Sequence, residues 1–246
     1  MYVLVACEES QEVCKAFRAL GAEAFSCDIE PCSGGCPEWH IINDVRYVLT
    51  PEKYYFRTVN HCYNGIEFIT QDGKYHFIPK KWDLIIAHPP CTYLTVTGNR
   101  WFNVERYGKK AVERVALREN AVEFFKLFTT INCDHVAIEN PIGYMSTHYR
   151  KPDQIIQPWQ FGHPVTKSTC LWLKGLPKLE PTNIVDIDRS DVYAYVAKNG
   201  KIKHDCRSRS RCKQSERSTH RSKTFPGIAE AMATQWYEYL RKEGTQ

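Results

Sequence analysis

The sequence predicts an α/β protein built on a doubly wound, mostly parallel sheet. Three observations carry that expectation. The chain opens on strand, helix and strand in close succession; a strand at 82–87, a long helix and a strand at 135–138 repeat the alternation; polar residues stand directly after each of these strands. Alternating elements of this kind wind parallel strands together, and in such sheets ligands sit outside the carboxyl ends of the strands.

Residues 1–7 form a short apolar run, followed by Glu8, Glu9 and Ser10 and then by Val13, Ala16, Phe17 and Leu20 at helical spacing, closed by Gly21. A second apolar segment, 22–27, stops at Asp28, and after a Gly- and Cys-containing loop Ile41 and Ile42 read as a third short strand or turn. Residues 51–81 change to alternating aromatics around Asp72-Gly73, the signature of an inserted β-hairpin. The strand at 82–87 ends on His88-Pro89-Pro90-Cys91, where two prolines stop the pairing. Apolar positions 112, 115, 117, 121, 122, 124, 125 and 128 predict an amphipathic helix over 111–128, and the strand at 135–138 ends at Glu139-Asn140-Pro141. Residues 169–173 are strand-like, and Met232, Trp236 and Leu240, spaced by four, mark a closing helix. The division expected is a core at 1–180, a polar, basic segment at 181–222 and a helix at 223–246 that returns to the core.

At 246 residues, 43% hydrophobic and 25% charged, the chain has the profile of one large globular domain rather than a disordered one. It has no apolar run of about 18 residues and no basic leader before its first strand, so a cytoplasmic protein without a membrane partner is expected. Eleven cysteines, an odd number in a chain with ample core, argue for reduced thiols. The net charge of +5 is uneven: Lys and Arg crowd 198–223 against Asp205 and Glu216 alone, which suits either an anionic partner or a solvated loop. Cys27, Cys32, Cys36 and His40, like His204, Cys206, Cys212 and His220, lack the paired short spacing of a zinc signature, and no metal is expected.

The polar residues after the strands carry the chemistry. An acid after the second strand, Asp28, suits hydrogen bonding to ribose hydroxyls. Cys91, behind the rigid Pro89-Pro90 turn, presents a thiol to the same edge. Glu139, on a neighbouring strand end, supplies an acid toward a substrate under thiolate attack, the pairing that covalent catalysis requires.

The run from His88 to Leu94 after an Asp-Leu-Ile-Ile strand, followed by Glu139-Asn140-Pro141 after Val-Ala-Ile, resembles the Pro-Cys and Glu-Asn motifs of DNA cytosine-5 methyltransferases. Phe225-Pro226-Gly227 before the last helix is similar to the family's closing motif. The resemblance implies the S-adenosylmethionine-dependent methyltransferase (Rossmann-like) fold, S-adenosylmethionine as cofactor and DNA as partner, with no obligate protein partner. It implies that Cys91 adds to the sixth ring position of a flipped-out cytosine while Glu139 contacts and protonates the ring nitrogen. Cys7, Glu8, Asp28, Ile29, Asp44, Val45 and Pro89 would hold the cofactor, Asp28 at the ribose and Asp44 at the adenine. Asn140, Lys167 and Thr169 would meet the base, and Arg207, Arg209 and Arg211, in what would be a reduced target-recognition segment, the phosphates. The family's glycine-rich cofactor loop is here 6–12, with no glycine. A protein that keeps this fold without turnover and binds nucleic acid or another partner is the alternative. An amino-methyltransferase is a third reading, although those enzymes place an aromatic residue where this chain has Cys91.

Overall fold

The computed structural model describes residues 1–49, 65–79, 81–187, 193–196, 202–205 and 223–244. Its first half contains β1 (Tyr2–Ala6), α1 (Glu12–Ala19), β2 (Glu23–Asp28), β3 (His40–Ile42), α2 (Arg46–Leu49), β4 (Gly65–Ile69), β5 (Tyr75–Pro79) and β6 (Leu84–Ala87). Then come α3 (Val104–Tyr107), α4 (Lys109–Thr130), β7 (Val136–Pro141), α5 (Met145–His148), β8 (Gln154–Ile156) and β9 (Thr169–Lys174). The antiparallel pair of β10 (Tyr193–Val196) and β11 (Ile202–Asp205) and the helix α6 (Pro226–Glu243) complete the order.

Seven strands form one sheet in the order β3-β2-β1-β6-β7-β9-β8. The first five named run parallel, and β9 lies antiparallel to both of its neighbours. Chain order reverses between β1 and β6, which makes their carboxyl ends the switch point at which an open α/β sheet leaves a crevice.

Strand alternation sorts the core onto the two faces. Leu4, Ala6, Phe25, Ile85, Val136, Ile138 and Trp172 point to one side, where Phe125 and Phe128 of α4 and the β4–β5 hairpin cover them. Val3, Val5, Ala24, Leu84, Ile86, Ala137 and Leu171 point to the other, against Val13 and Phe17 of α1 and Met232 and Trp236 of α6. The hairpin turns at Gly73, whose φ of 86° is left-handed, and seats Phe68 with its ring 4.9 Å from that of Phe25 and 5.9 Å from that of Trp82. The part of the predicted hairpin segment at 51–64 lies outside the described residues.

Two expectations need correction. The strand predicted at 135–138 runs on through Glu139, Asn140 and Pro141, because antiparallel β9 pairs with these residues at Leu171, Cys170 and Thr169 after parallel β6 has ended at Ala87. Residues 154–156 form the edge strand β8, antiparallel to β9. The long helix is amphipathic only in its second half: Val112, Val115 and Leu117 are exposed, since the first turns of α4 contribute only Ala111 to the buried set. Among the described residues, no helix is long and apolar enough to cross a membrane.

Trp236 is fully buried, and its indole N–H donates to the Pro177 carbonyl at 3.0 Å. Trp236→Ala is therefore expected to lower stability by about 3–5 kcal/mol. Val112→Ser, at an exposed helix position, is expected to change it by less than about 0.5 kcal/mol. Urea unfolding of the two variants checks both, and a large loss in Val112→Ser would show that the outer half of α4 is packed after all.

Candidate active site

Immediately past β1 the backbone takes two left-handed turns, at Cys7 with φ 60° and at Gln11 with φ 61°. Each costs an L side chain about 1–2 kcal/mol, so the surroundings must hold the turn in place. The Cys7 amide donates to the Cys27 carbonyl at 2.7 Å, and the buried Glu8 carboxylate accepts from the amides of Val13 at 2.7 Å and Cys14 at 3.2 Å. Glu8 thus caps α1, where unpaired N–H groups and the helix dipole favour an anion. Burial lifts its pKa above the usual carboxylate range, although the charge of His88 and the two amides pull it down. Burial, and after it the charge of Asp28, pushes the Cys7 thiol well up, which keeps it protonated and unreactive.

The loop after β2 folds back over this turn. The buried side chain of Gln11 donates to the Cys36 carbonyl at 2.8 Å and accepts from the Cys36 amide at 3.0 Å. Gly34 lies so close to Ser10 and Gln11 that a Cβ there would collide with both. Asp28, at the end of β2, accepts from the Glu30 amide at 3.0 Å, and burial raises its pKa, with the charge of Glu9 adding to the effect. Ile29 beside it is 70% exposed. Oε2 of Glu9 is buried without a hydrogen-bond partner among the described residues. Asp44, after β3, is gripped by Arg46, whose Nε lies 2.9 and 3.0 Å from its two oxygens, and that contact holds its carboxyl below the usual range. Val45 is buried in the core beneath it.

Cys91, just past β6, and Glu139, on the neighbouring parallel strand β7, lie on segments that are hydrogen-bonded to each other at two points. Buried Asn140 donates from Nδ2 to the Pro89 carbonyl at 2.7 Å. The amides of Leu94 and Thr95 donate to the Cys91 carbonyl at 2.9 and 3.1 Å, which winds the chain into a turn, and the Tyr144 amide donates to the Leu94 carbonyl at 2.7 Å. Gly143 lies directly against that Leu94 carbonyl, and any Cβ there would strike it. Arg118 backs the turn from α4: it donates to the Tyr93 carbonyl at 2.9 Å and stacks 3.3 Å from the centre of the Phe102 ring.

His88 stands between the two halves of the site. Its Nδ1 lies 3.2 Å from Oε2 of Glu139, and its buried Nε2 has no hydrogen-bond partner among the described residues. Burial works against the imidazolium, yet the hydrogen bond and charge of Glu139, joined by the charge of Glu8, outweigh it and raise the pKa, with Lys167 opposing. Lys167 also has its ammonium 5.7 Å from the Phe225 ring centre, and buried Thr169 donates its hydroxyl to the Lys167 carbonyl at 3.2 Å.

The structure therefore brings Cys7, Glu8, Asp28, Pro89, Glu139 and Asn140 to one edge, at or just past the carboxyl ends of β1, β2, β6 and β7, with Cys91 two residues beyond Pro89. Glu8 and Asn140 face the fold itself, one capping a helix and the other holding a turn. Sequence reasoning missed Glu9 and His88. His88 carried a usable signal, since it is the first residue after a buried strand, whereas no spacing rule separates Glu9 from Glu8. Arg207, Arg209 and Arg211 lie outside the described residues, as do Cys206, Cys212 and His220. Of the first cysteine cluster, His40 is fully buried, with Nδ1 2.8 Å from the Ser26 hydroxyl and Nε2 2.9 Å from the Glu30 carbonyl. No group of three or more His, Cys, Asp or Glu among the described residues is arranged to hold a metal ion. Neither models of known protein families nor curated proteins match the chain.

Removal of the Asn140 amide strands the Pro89 carbonyl in a buried site. Asn140→Ala is expected to cost about 1–3 kcal/mol in denaturant unfolding. Asn140→Asp, which keeps the shape but loses the donor, is expected to cost as much. An unchanged midpoint in both would mean that the Cys91 turn is held by its other contacts alone.

Proposed function

We propose that the protein methylates the fifth ring carbon of cytosine in DNA through a covalent adduct at Cys91. One observation carries the reading: Cys91 follows β6 by four residues and Glu139 lies on the neighbouring parallel strand β7, and the Asn140 amide and the Tyr144–Leu94 bond tie the two segments together. An unactivated ring carbon needs a nucleophile to break aromaticity and an acid to take up the charge that develops on the ring nitrogen. In this reading the Cys91 thiolate adds to the sixth position, Glu139 delivers a proton to the ring nitrogen, and the fifth position becomes nucleophilic. The charge of Lys167 reaches His88, and Thr169 pairs with Pro141 two residues past Glu139.

The residues at the β1 and β2 ends fit S-adenosylmethionine, which when bound supplies an electrophilic methyl group. Asp28 and Glu9 form an acidic pair, and the orphaned Oε2 of Glu9 is suited to a hydroxyl or ammonium donor. The exposed side chain of Ile29 offers an apolar face beside them. The left-handed turn at Cys7 and Gln11 bends the backbone away from β1 at this point without glycine. The grip of Arg46 on Asp44 favours the second reading, a fold that binds nucleic acid without turnover, because it engages the carboxylate that would meet the adenine.

Asp28→Ala is expected to weaken binding of S-adenosylmethionine by about 1–3 kcal/mol, the loss of hydrogen bonds to a charged group. Isothermal titration checks it, and failure of the wild-type protein to bind either S-adenosylmethionine or S-adenosylhomocysteine would favour the second reading.

Cys91→Ser is expected to abolish methylation and leave the unfolding midpoint unchanged, while Glu139→Gln slows turnover by about 100-fold or more. DNA containing 5-fluorocytosine is expected to trap the wild-type protein as an adduct that survives denaturant, since fluorine blocks the elimination that frees the thiol. Cofactor binding with no adduct at Cys91 on any cytosine substrate would sink the covalent mechanism.

A further inference from the structure

The residue that the covalent reading leaves unused is His88. Its backbone amide donates to the Ala6 carbonyl at 2.9 Å, which prolongs the β1–β6 pairing and fixes the residue's backbone at the switch point. The side chain is 11% exposed and that of Glu139 19%, so their 3.2 Å contact is largely shielded from water. Three charged groups face the imidazole: Glu139 from β7, Glu8 from the turn after β1, and Lys167 from the segment before β9. Two are acids, and one of these hydrogen-bonds the ring.

A carboxyl group that must protonate a ring nitrogen has to be resupplied with a proton in a place where water is scarce. An imidazolium in direct contact with that carboxyl does this in one short step. We propose that His88 is the positioning residue of Glu139, fixing its carboxyl through the Nδ1···Oε2 contact and storing the proton that Glu139 passes to the cytosine. The proposal rests on the methylation reading and adds to it the source of the proton. At rest the pair is an imidazolium against a carboxylate. As the Cys91 thiolate bonds to the sixth ring carbon, the displaced electron pair collects on the ring nitrogen, which takes a proton through the Glu139 carboxyl; that proton comes from Nδ1 of His88, leaving a neutral imidazole and a carboxylate. When the fifth carbon has given up its hydrogen to water and the thiolate leaves, the proton on the ring nitrogen returns along the same path, and the pair ends as it began.

The charge environment agrees with this role. The acids that face the ring keep it protonated above the pH at which a free imidazole loses its proton, so the store remains filled near neutrality.

The test reads two quantities. Nitrogen-15 NMR titration of His88 is expected to give a pKa above 6.5 in the wild-type protein and a lower one in Glu139→Gln. An unchanged value in that variant would overturn the coupling. The second is exchange of the cytosine C5 hydrogen for deuterium in heavy water, which follows from addition at the sixth position alone and needs no methyl donor. Its pH profile is expected to be bell-shaped in the wild type, falling about tenfold per pH unit on the basic side. In His88→Asn, whose amide keeps a donor at the position of Nδ1 but does not titrate, the pH dependence belonging to His88 is expected to vanish at an unchanged unfolding midpoint. An identical profile in wild type and His88→Asn overturns the role of His88 while leaving methylation standing. Absence of exchange on every cytosine oligonucleotide, in a wild-type protein that also fails to methylate, overturns the methylation reading, and the proton role falls with it even if the titration shows the pair intact.

Discussion

The central strand β1 constrains the rest of the molecule. Val3, Leu4, Val5 and Ala6 are completely buried, and β1 pairs in parallel with β2 on one side and β6 on the other. A strand covered on both faces must be apolar at every position, so its polar continuation can begin only where it leaves the sheet. That single requirement puts the Cys7–Gln11 turn at the carboxyl edge. The parallel register then sends Asp28 and His88 to the same edge, because parallel neighbours end on the same side. The crevice is thus a product of strand direction before any side chain in it is chosen.

The turn itself shows how a strained backbone is stabilised by its surroundings. Two non-glycine residues with positive φ destabilise it, and the compensation is distributed: the carboxylate of Glu8 under the first turn of α1, the bond to Cys27, and the side chain of Gln11 fastened to Cys36. A glycine-rich loop would reach such a shape without these contacts but would leave α1 uncapped. Here the polar groups nearest the crevice divide between two tasks. Glu8 and Asn140 hold the scaffold; Glu9 and His88 keep buried polar atoms without partners among the described residues, beside Asp28 and Glu139.

Much of this was legible in the sequence because burial imposes period and composition. The runs at 1–7, 22–27 and 82–87 had to be strands, being apolar, short and stopped by polar residues or proline. The aromatics around Asp72-Gly73 had to form a hairpin. What escaped was long-range partnering. The extension of β7 through Glu139-Asn140-Pro141 depends on β9, some thirty residues on, supplying an antiparallel neighbour. The outer half of α4 carries valines at helical spacing with no sheet beneath them, a difference that periodicity does not register. The candidate thiol and carboxyl stood out because each follows a buried strand. The His88–Glu139 contact did not, since nothing local in either segment points to the other.

The close approach of Gly143 to the Leu94 carbonyl has a mechanical consequence. With the Asn140–Pro89 bond at one end and the Tyr144–Leu94 bond at the other, the segments 89–94 and 140–144 close a ring that begins one residue past Glu139. Such a ring has few independent movements. The segment that carries the thiol is thus clamped at both ends to the chain that follows the carboxyl, and it cannot swing without pulling on β7. The nucleophile's turn is thereby anchored to the strand that holds the acid, and the sheet sets the place of both.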